Sequence, residues 1–325
     1  EMKVKIDQKN LNLPDILILG AAKSGTTSLA FFLKQHPGVH MPRKEPGFFA
    51  YYDRPVEEIP SGIRDRQIVD LEEYTAMYSD VKAEQKICDS SVAQFTNHEH
   101  TLRNIQNLYG DKKSELKTFV ILRNPVDRAF SHYLMFVKNG LEHMDFEDAL
   151  DPEVVIRRRK EQLGFDYIGG SMYADRIEAI LKELPQTKVY ITEDLKREDL
   201  LEDFLTACDL RTDVDIDTET KLNPSGLPKN KGVISMLNHQ NPVKKLMKKY
   251  LSDKTQFKLI ALKSKLMERS IQRVRIEPGL KERLIKEYFE EDIHKLSALI
   301  DRDLSHWLPK ESSTHQTPTS KEDVR

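Results

Sequence analysis

Cysteine is scarce: Cys88 and Cys208 stand far apart, with no second thiol or histidine cluster beside either. That excludes a disulfide framework and a thiolate zinc site, and it fits a reducing compartment. Long apolar runs are also missing. The stretch Glu1 to Pro14 is polar and lacks the apolar core of a signal peptide, and no later segment approaches the roughly 18 apolar residues of a membrane span. The expectation is a cytoplasmic chain with no membrane partner. Nor is there an excess of charge of one sign. Fifty-one Lys and Arg face 53 Asp and Glu, a formal net charge of −2, so no nucleic-acid partner is expected. Fixed-period repeats and a Pro/Gly/Ser linker are absent as well.

What is present is an alternation. Four short runs have strand composition: Ile16 to Leu19, Lys86 to Cys88, Thr118 to Leu122 and Val189 to Thr192. Between them lie the helical patterns Thr26 to Gln35, Pro125 to Lys138 and Tyr173 to Leu184, so strands and helices alternate as a doubly wound parallel sheet flanked by helices requires. The reading is one α/β domain over 14–308, P-loop-like at its start and helical towards its C-terminus. A flexible N-terminus, 1–13, precedes it, and a disordered Ser/Thr/Lys/Glu-rich tail, 309–325, follows. Within the C-terminal third, only Asp253 and Glu268 oppose the lysines and arginines between Lys229 and Arg275. Two readings of this basic amphipathic region stay open, a solvated helical pair and a lid that attracts an anion. A last helix, Lys281 to Ile300, leads to Leu304 and Trp307, which read as core anchors.

The segment Ile16-Leu17-Ile18-Leu19-Gly20-Ala21-Ala22-Lys23-Ser24-Gly25-Thr26-Thr27-Ser28 runs from strand through a small-residue loop into a helix. Such a loop lets backbone N–H groups converge on an anion at a helix start, and Thr26, Thr27 and Ser28 add hydroxyls. The Gly20 to Gly25 spacing imitates that of a nucleotide triphosphatase, yet Thr26 stands where such an enzyme needs lysine, and the lysine is at Lys23. Arg123 likewise ends the strand where a metal-holding aspartate would be expected. Asn124 and Pro125 then form a helix start, and Ser131, two turns on, can reach the same anion as Arg123. On this reading Arg128 is a solvated or salt-bridged arginine.

The Lys-Ser-Gly-Thr-Thr loop at 23–27 and the Leu-Arg-Asn-Pro-Val-Asp-Arg-Ala-Phe-Ser segment at 122–131 resemble the two signatures with which sulfotransferases bind 3′-phosphoadenosine 5′-phosphosulfate, PAPS. The resemblance extends from about Pro14 to Trp307. It is closest to heparan-sulfate-type and bacterial, natural-product-like members, through Lys44-Glu45-Pro46-Gly47-Phe48-Phe49 and Ser91-Val92-Ala93-Gln94-Phe95-Thr96. It implies that Lys23, Ser24, Gly25, Thr26, Thr27 and Ser28 hold the 5′-phosphosulfate, and that Arg123 and Ser131 hold the 3′-phosphate. A later family loop is matched by Lys229, Lys231 and Gly232, and a pocket tyrosine by Tyr173. Heparan-sulfate enzymes tend to carry lysine where Ser90 stands here. The implied co-substrate is PAPS, its product 3′-phosphoadenosine 5′-phosphate, PAP, and no metal is called for. Lys23 would steady charge on the bridging oxygen, and Glu45 would be the general base towards the acceptor. The expected activity is sulfuryl transfer to a hydroxyl or amine of a small natural-product acceptor. The alternatives are a glycan acceptor, a P-loop kinase or NTPase, and a silent nucleotide-binding scaffold.

Overall fold

The structure is a computed structural model that describes residues 3–6, 9–43, 45–59, 67–159, 163–220, 226–228, 262, 266 and 269–310. The sequence-based tail from 311 onwards and most of the basic region from Lys229 to Arg275 lie outside them. A short antiparallel hairpin, β1 (Lys3–Ile6) and β2 (Lys9–Asn12), precedes the sheet. Five parallel strands follow: β3 (Ile16–Gly20), β4 (Val39–His40), β5 (Lys86–Ser90), β6 (Lys117–Leu122) and β7 (Lys188–Ile191). They are arranged β4-β5-β3-β6-β7. The four strands anticipated from composition are all there; β4, two residues at the sheet edge, was too short to signal itself.

The two-residue period of the central strands builds two cores. Leu17, Leu19, Val120 and Leu122 face one hydrophobic cluster, and Ile16, Ile18, Phe119 and Ile121 face another. Against the second face pack α1 (Thr26–Gln35), through Leu29, Phe32 and Leu33, and a later helix (Leu200–Ala207) through Phe204 and Leu205. The first face is covered by α2 (Phe48–Tyr51), α3 (Leu71–Ala76), α4 (Ala93–Thr96), α5 (His98–Tyr109), α6 (Pro125–Lys138) and α7 (Ala174–Glu183). The chain closes on this face with α8 (Pro278–Leu284), a π turn over Ile285–Phe289 and α9 (Glu290–Leu299). Strands buried on both faces explain the near-continuous apolar runs seen in sequence. Among the described residues no helix is long and apolar enough to cross a membrane.

From β3 the chain turns towards β4, and from β6 it turns the other way, to β7, so the sheet has its switch point between β3 and β6. Ligand crevices form outside the carboxyl ends of strands at such a point. The C-terminal segment reaches this same edge. Leu304 and Trp307 are buried, the Asn124 amide donates to the Trp307 carbonyl at 3.2 Å, and the Trp307 indole N–H donates to Glu193 at 3.0 Å. Arg302 grips Asp194, just past β7, with two bonds of 2.6 and 2.8 Å.

Burial alone would raise Asp194, but the bonds from Arg302 and from the Ile191 N–H outweigh it and hold the carboxyl below its usual range. Arg302→Ala leaves that buried carboxylate with only Arg197, 4.0 Å away, and should cost about 2 to 3 kcal/mol at neutral pH. Because the folded pKa is depressed, this stabilisation is present above the unfolded pKa of about 4 and is lost as pH falls through the folded value. Denaturant titrations should therefore show a gap between wild type and variant that is full at pH 7 and narrows below about pH 4; a constant gap would remove the ion pair from the account.

Candidate functional site

Past β3 the chain enters the small-residue loop. Lys23 and Gly25 both have left-handed backbones, φ 69° and 111°. Gly25 is required by space as well, since a Cβ there would meet Leu195 Cδ1 at 2.8 Å. Two successive loop carbonyls are held by side chains from elsewhere, and a third shares a hydroxyl with Leu122 O, 2.9 Å from it. Arg128 Nε donates to Ala22 O at 3.2 Å, Arg123 donates to Lys23 O at 3.4 Å, and the Thr192 hydroxyl lies 3.1 Å from Ser24 O. With the acceptors engaged from outside, the loop offers the cleft its donors. The helical ladder of α1 begins with Ser28 and Leu29 bonding to Gly25 O, so the N–H groups of Thr26 and Thr27 fall outside it. The Ser24 hydroxyl is buried and has no hydrogen-bond partner among the described residues. The Tyr173 phenol lies beside it and donates to the Arg123 carbonyl at 2.9 Å. An orphaned donor at the head of a positive helix end suits an anion.

The second wall is the end of β6 and the exposed face of α6. Asn124 caps the helix by accepting the Asp127 N–H at 3.2 Å, with Pro125 in the first turn, as the sequence indicated. Ser131 lies on the cleft face, and Leu134, Met135 and Lys138 continue it at helical spacing. Arg128 is a correction to the sequence reading. It is 3% exposed, and its bonds run to Ala22 O, Tyr167 O, the Ser171 hydroxyl and His132 Nδ1 rather than to water or a carboxylate. Since Arg128 always donates, His132 Nδ1 accepts and the imidazole carries its proton on Nε2. Burial, then the Arg128 and Lys23 charges, push His132 well below the ordinary histidine range.

The third wall comes from the turn that holds Glu45. Its backbone is left-handed at Glu45, φ 61°, and at Gly47, φ 71°. Glu45 N–H donates to Ser90 O at 2.9 Å, and its Oε2 accepts the Val92 N–H at 2.8 Å. Phe48 and Phe49, which follow in the same segment, are fully buried in the core, where Phe48 stacks on Tyr74 with centroids 4.0 Å apart. Lys44 lies outside the described residues.

These three walls enclose a cleft of about 490 Å³ that brings Lys23, Ser24, Gly25, Thr26, Thr27 and Ser28 together with Glu45, Arg123 and Ser131. Lys229, Lys231 and Gly232 lie outside the described residues; Gly226, three positions before them, lines the cleft. Tyr173 is buried behind the wall rather than on it. Sequence reasoning missed Thr192 at the mouth of β7, together with Leu134, Met135 and Lys138. Counting three, four and seven residues on from Ser131 would have found the last three. Among the described residues no group of His, Cys, Asp or Glu is placed to hold a metal.

Residues 13–198 match the family model described as Sulfotransferase domain. The chain is 28% identical over 167 residues to the membrane-associated sulfotransferase kil1 of Dictyostelium discoideum, covering 47% of this chain and 32% of that protein. It is 26% identical over 183 residues to heparan sulfate glucosamine 3-O-sulfotransferase 3A1 of Mus musculus, covering 55% of this chain and 40% of that one. The chain thus spans less than half the length of these curated relatives. The crystal structure of a sulfotransferase from Alicyclobacillus acidocaldarius superposes with a TM-score of 0.67 at 25% identity, covering 91% of this chain and 99% of that one.

If Arg128 sets the loop by engaging its carbonyl, Arg128→Met should weaken PAP binding by at least about tenfold while also lowering stability by about 2 kcal/mol or more, because three oxygen acceptors and His132 lose a charged donor. Calorimetric titration with PAP at a temperature where the variant remains folded checks this. Affinity equal to wild type would show that the loop holds its shape without Arg128.

Proposed function

The chain belongs to the sulfotransferase domain family, and on that premise we propose that it moves a sulfuryl group from PAPS to a hydroxyl or amine of a small natural-product acceptor. The observation that carries this reading is the convergence on one cleft of the Lys23 loop, the Arg123 and Ser131 wall, and the Glu45 carboxylate. In the proposed roles, the N–H groups of Gly25, Thr26 and Thr27 and the hydroxyls from Ser24 to Ser28 bind the 5′-phosphosulfate, and Arg123 with Ser131 binds the 3′-phosphate. Glu45 takes the acceptor proton as the acceptor oxygen or nitrogen forms its bond to sulfur. The bond from sulfur to the bridging oxygen breaks, its electron pair stays on the departing PAP, and Lys23 steadies the charge that gathers there.

A kinase or NTPase reading finds less support, because Thr26 occupies the place of the phosphate-binding lysine and Arg123 that of the metal-holding carboxylate. A glycan acceptor is the second reading, favoured by the similarity to a heparan sulfate 3-O-sulfotransferase over 55% of the chain. Ser90, standing where those enzymes tend to carry lysine, weighs towards the uncharged natural-product acceptor. The proposal includes a reducing compartment, supported by the two buried free thiols. A screen of phenols, alcohols, amines and heparan oligosaccharides with labelled PAPS tests the proposal; label transferred only to the oligosaccharides would replace the first acceptor class by the second.

Two variants test the donor side. Arg123→Ala should weaken PAP by roughly one to two orders of magnitude and its analogue without the 3′-phosphate by much less, the smaller loss reflecting the Lys23 carbonyl that Arg123 also holds. Equal losses for both ligands would make Arg123 a structural residue. Lys23→Ala should lower kcat by about two orders of magnitude or more with a smaller loss of donor affinity. A raised KM at unchanged kcat would reduce Lys23 to a binding group.

A further inference from the structure

Behind Glu45 lies a carboxylate that the transfer reaction does not use. Asp89, on β5, is fully buried and takes two hydroxyl donors, Tyr74 at 2.6 Å and Ser91 at 2.7 Å. Ser91 Oγ in turn accepts the Gly47 N–H at 3.0 Å. The next residues along the strand hold the other end of the same turn: Ser90 O accepts the Glu45 N–H, and the Val92 N–H donates to the Glu45 carboxylate. Tyr74 adds a third tie, since its ring stacks on Phe48, the residue after Gly47. The turn needs such ties because both Glu45 and Gly47 hold left-handed backbones, and at Glu45 that conformation is unfavourable.

We propose that Asp89 is a positioning residue for the transfer reaction, fixing the Ser91 hydroxyl so that it accepts from Gly47 and presents the Glu45 carboxylate to the acceptor. The inference rests on the reading of Glu45 as the general base. An ionised carboxylate only accepts, so the Ser91 proton has one place to go and its lone pairs are left for Gly47. A protonated acid or an amide can donate to Ser91 instead, and the direction of the chain is then no longer specified.

The groups around Asp89 are Glu45, Tyr74, Tyr78, Tyr109 and Cys88. Burial raises Asp89 to about 6, against the pull of the Tyr74 and Ser91 hydroxyls, and Glu45, the other carboxylate of the group, adds repulsion. The folded value lies above the unfolded one. Its contribution to stability is therefore full below about pH 4 and is lost as pH rises through about 6. At pH 8 the fold carries a buried charge that destabilises it. An amide of the same shape should relieve that cost while losing the positioning, which separates the proposal from a merely structural role.

Asp89→Asn should bind PAP within about twofold of wild type and melt no lower at pH 8, while PAP release from labelled PAPS, with water as acceptor, falls about 10-fold to 100-fold. Peptide hydrogen exchange over 45–49 should show a turn whose protection rises through about pH 6 in wild type and stays low and pH-independent in Asp89→Asn. In a Glu45→Gln background the Asn substitution should cause no further loss of turnover. Parallel losses of PAP affinity and stability, wild-type turnover, or an additional loss in the double variant would each overturn the role of Asp89. Retained turnover in Glu45→Gln alone would overturn the base reading, and the inference with it, whatever the exchange shows. An inactive Glu45→Gln beside a fully active Asp89→Asn would overturn Asp89 alone.

Discussion

The cleft depends on the direction in which three peptide groups face. A loop that binds an anion must turn its carbonyl oxygens away from it, and an unheld glycine-containing loop has no reason to do so. Here the oxygens of Ala22 and Lys23 are engaged by Arg128 and Arg123, and that of Ser24 shares the Thr192 hydroxyl with Leu122 O; the three side chains come from α6, from the end of β6 and from the end of β7. Neighbouring strands and a helix thus set the loop's polarity. This also accounts for a buried guanidinium with no carboxylate beside it, since carbonyl oxygens, a hydroxyl and an imidazole nitrogen together satisfy its donors.

That arrangement explains which features were legible in sequence. The strand, loop and helix of the first motif carry local signals, namely β-branched and leucine runs, small residues, then a 3.6-residue period, and α1 and α6 begin and end where those signals say. Arg123, Ser131 and Glu45 could be picked out because their motifs are local, although only the fold brings them to one cleft. Arg128 was misread because an arginine on a helix looks the same whether its neighbour is water or the carbonyl of a loop 106 residues away. The placement of Phe48 and Phe49 is hidden from sequence for a related reason: the left-handed turn at Gly47 reverses the chain and sends both rings into the core while Glu45 stays at the cleft.

The same long-range dependence runs through the Glu45 turn. No residue between Arg43 and Phe49 has a periodic pattern to fix it; its shape is borrowed from the end of β5, through Ser90, Ser91 and Val92. The Lys23 side and the Glu45 side of the cleft are therefore set by different strands, β6 and β7 for one and β5 for the other, which lets each side change its residues without rebuilding its opposite.

The grip of Arg302 on Asp194 spans 108 residues. On a ribosome that adds roughly 5–20 residues per second, the floor beside β7 waits about 5–20 seconds for its cation. During that interval the sheet is already made, but Asp194, Glu193 and Asn124 lack the Arg302 and Trp307 groups that lock them. The bracing beside the cleft is completed by almost the last described part of the chain to emerge, so a nascent polypeptide stalled before that point carries the described lining of the cleft and still lacks its outer supports.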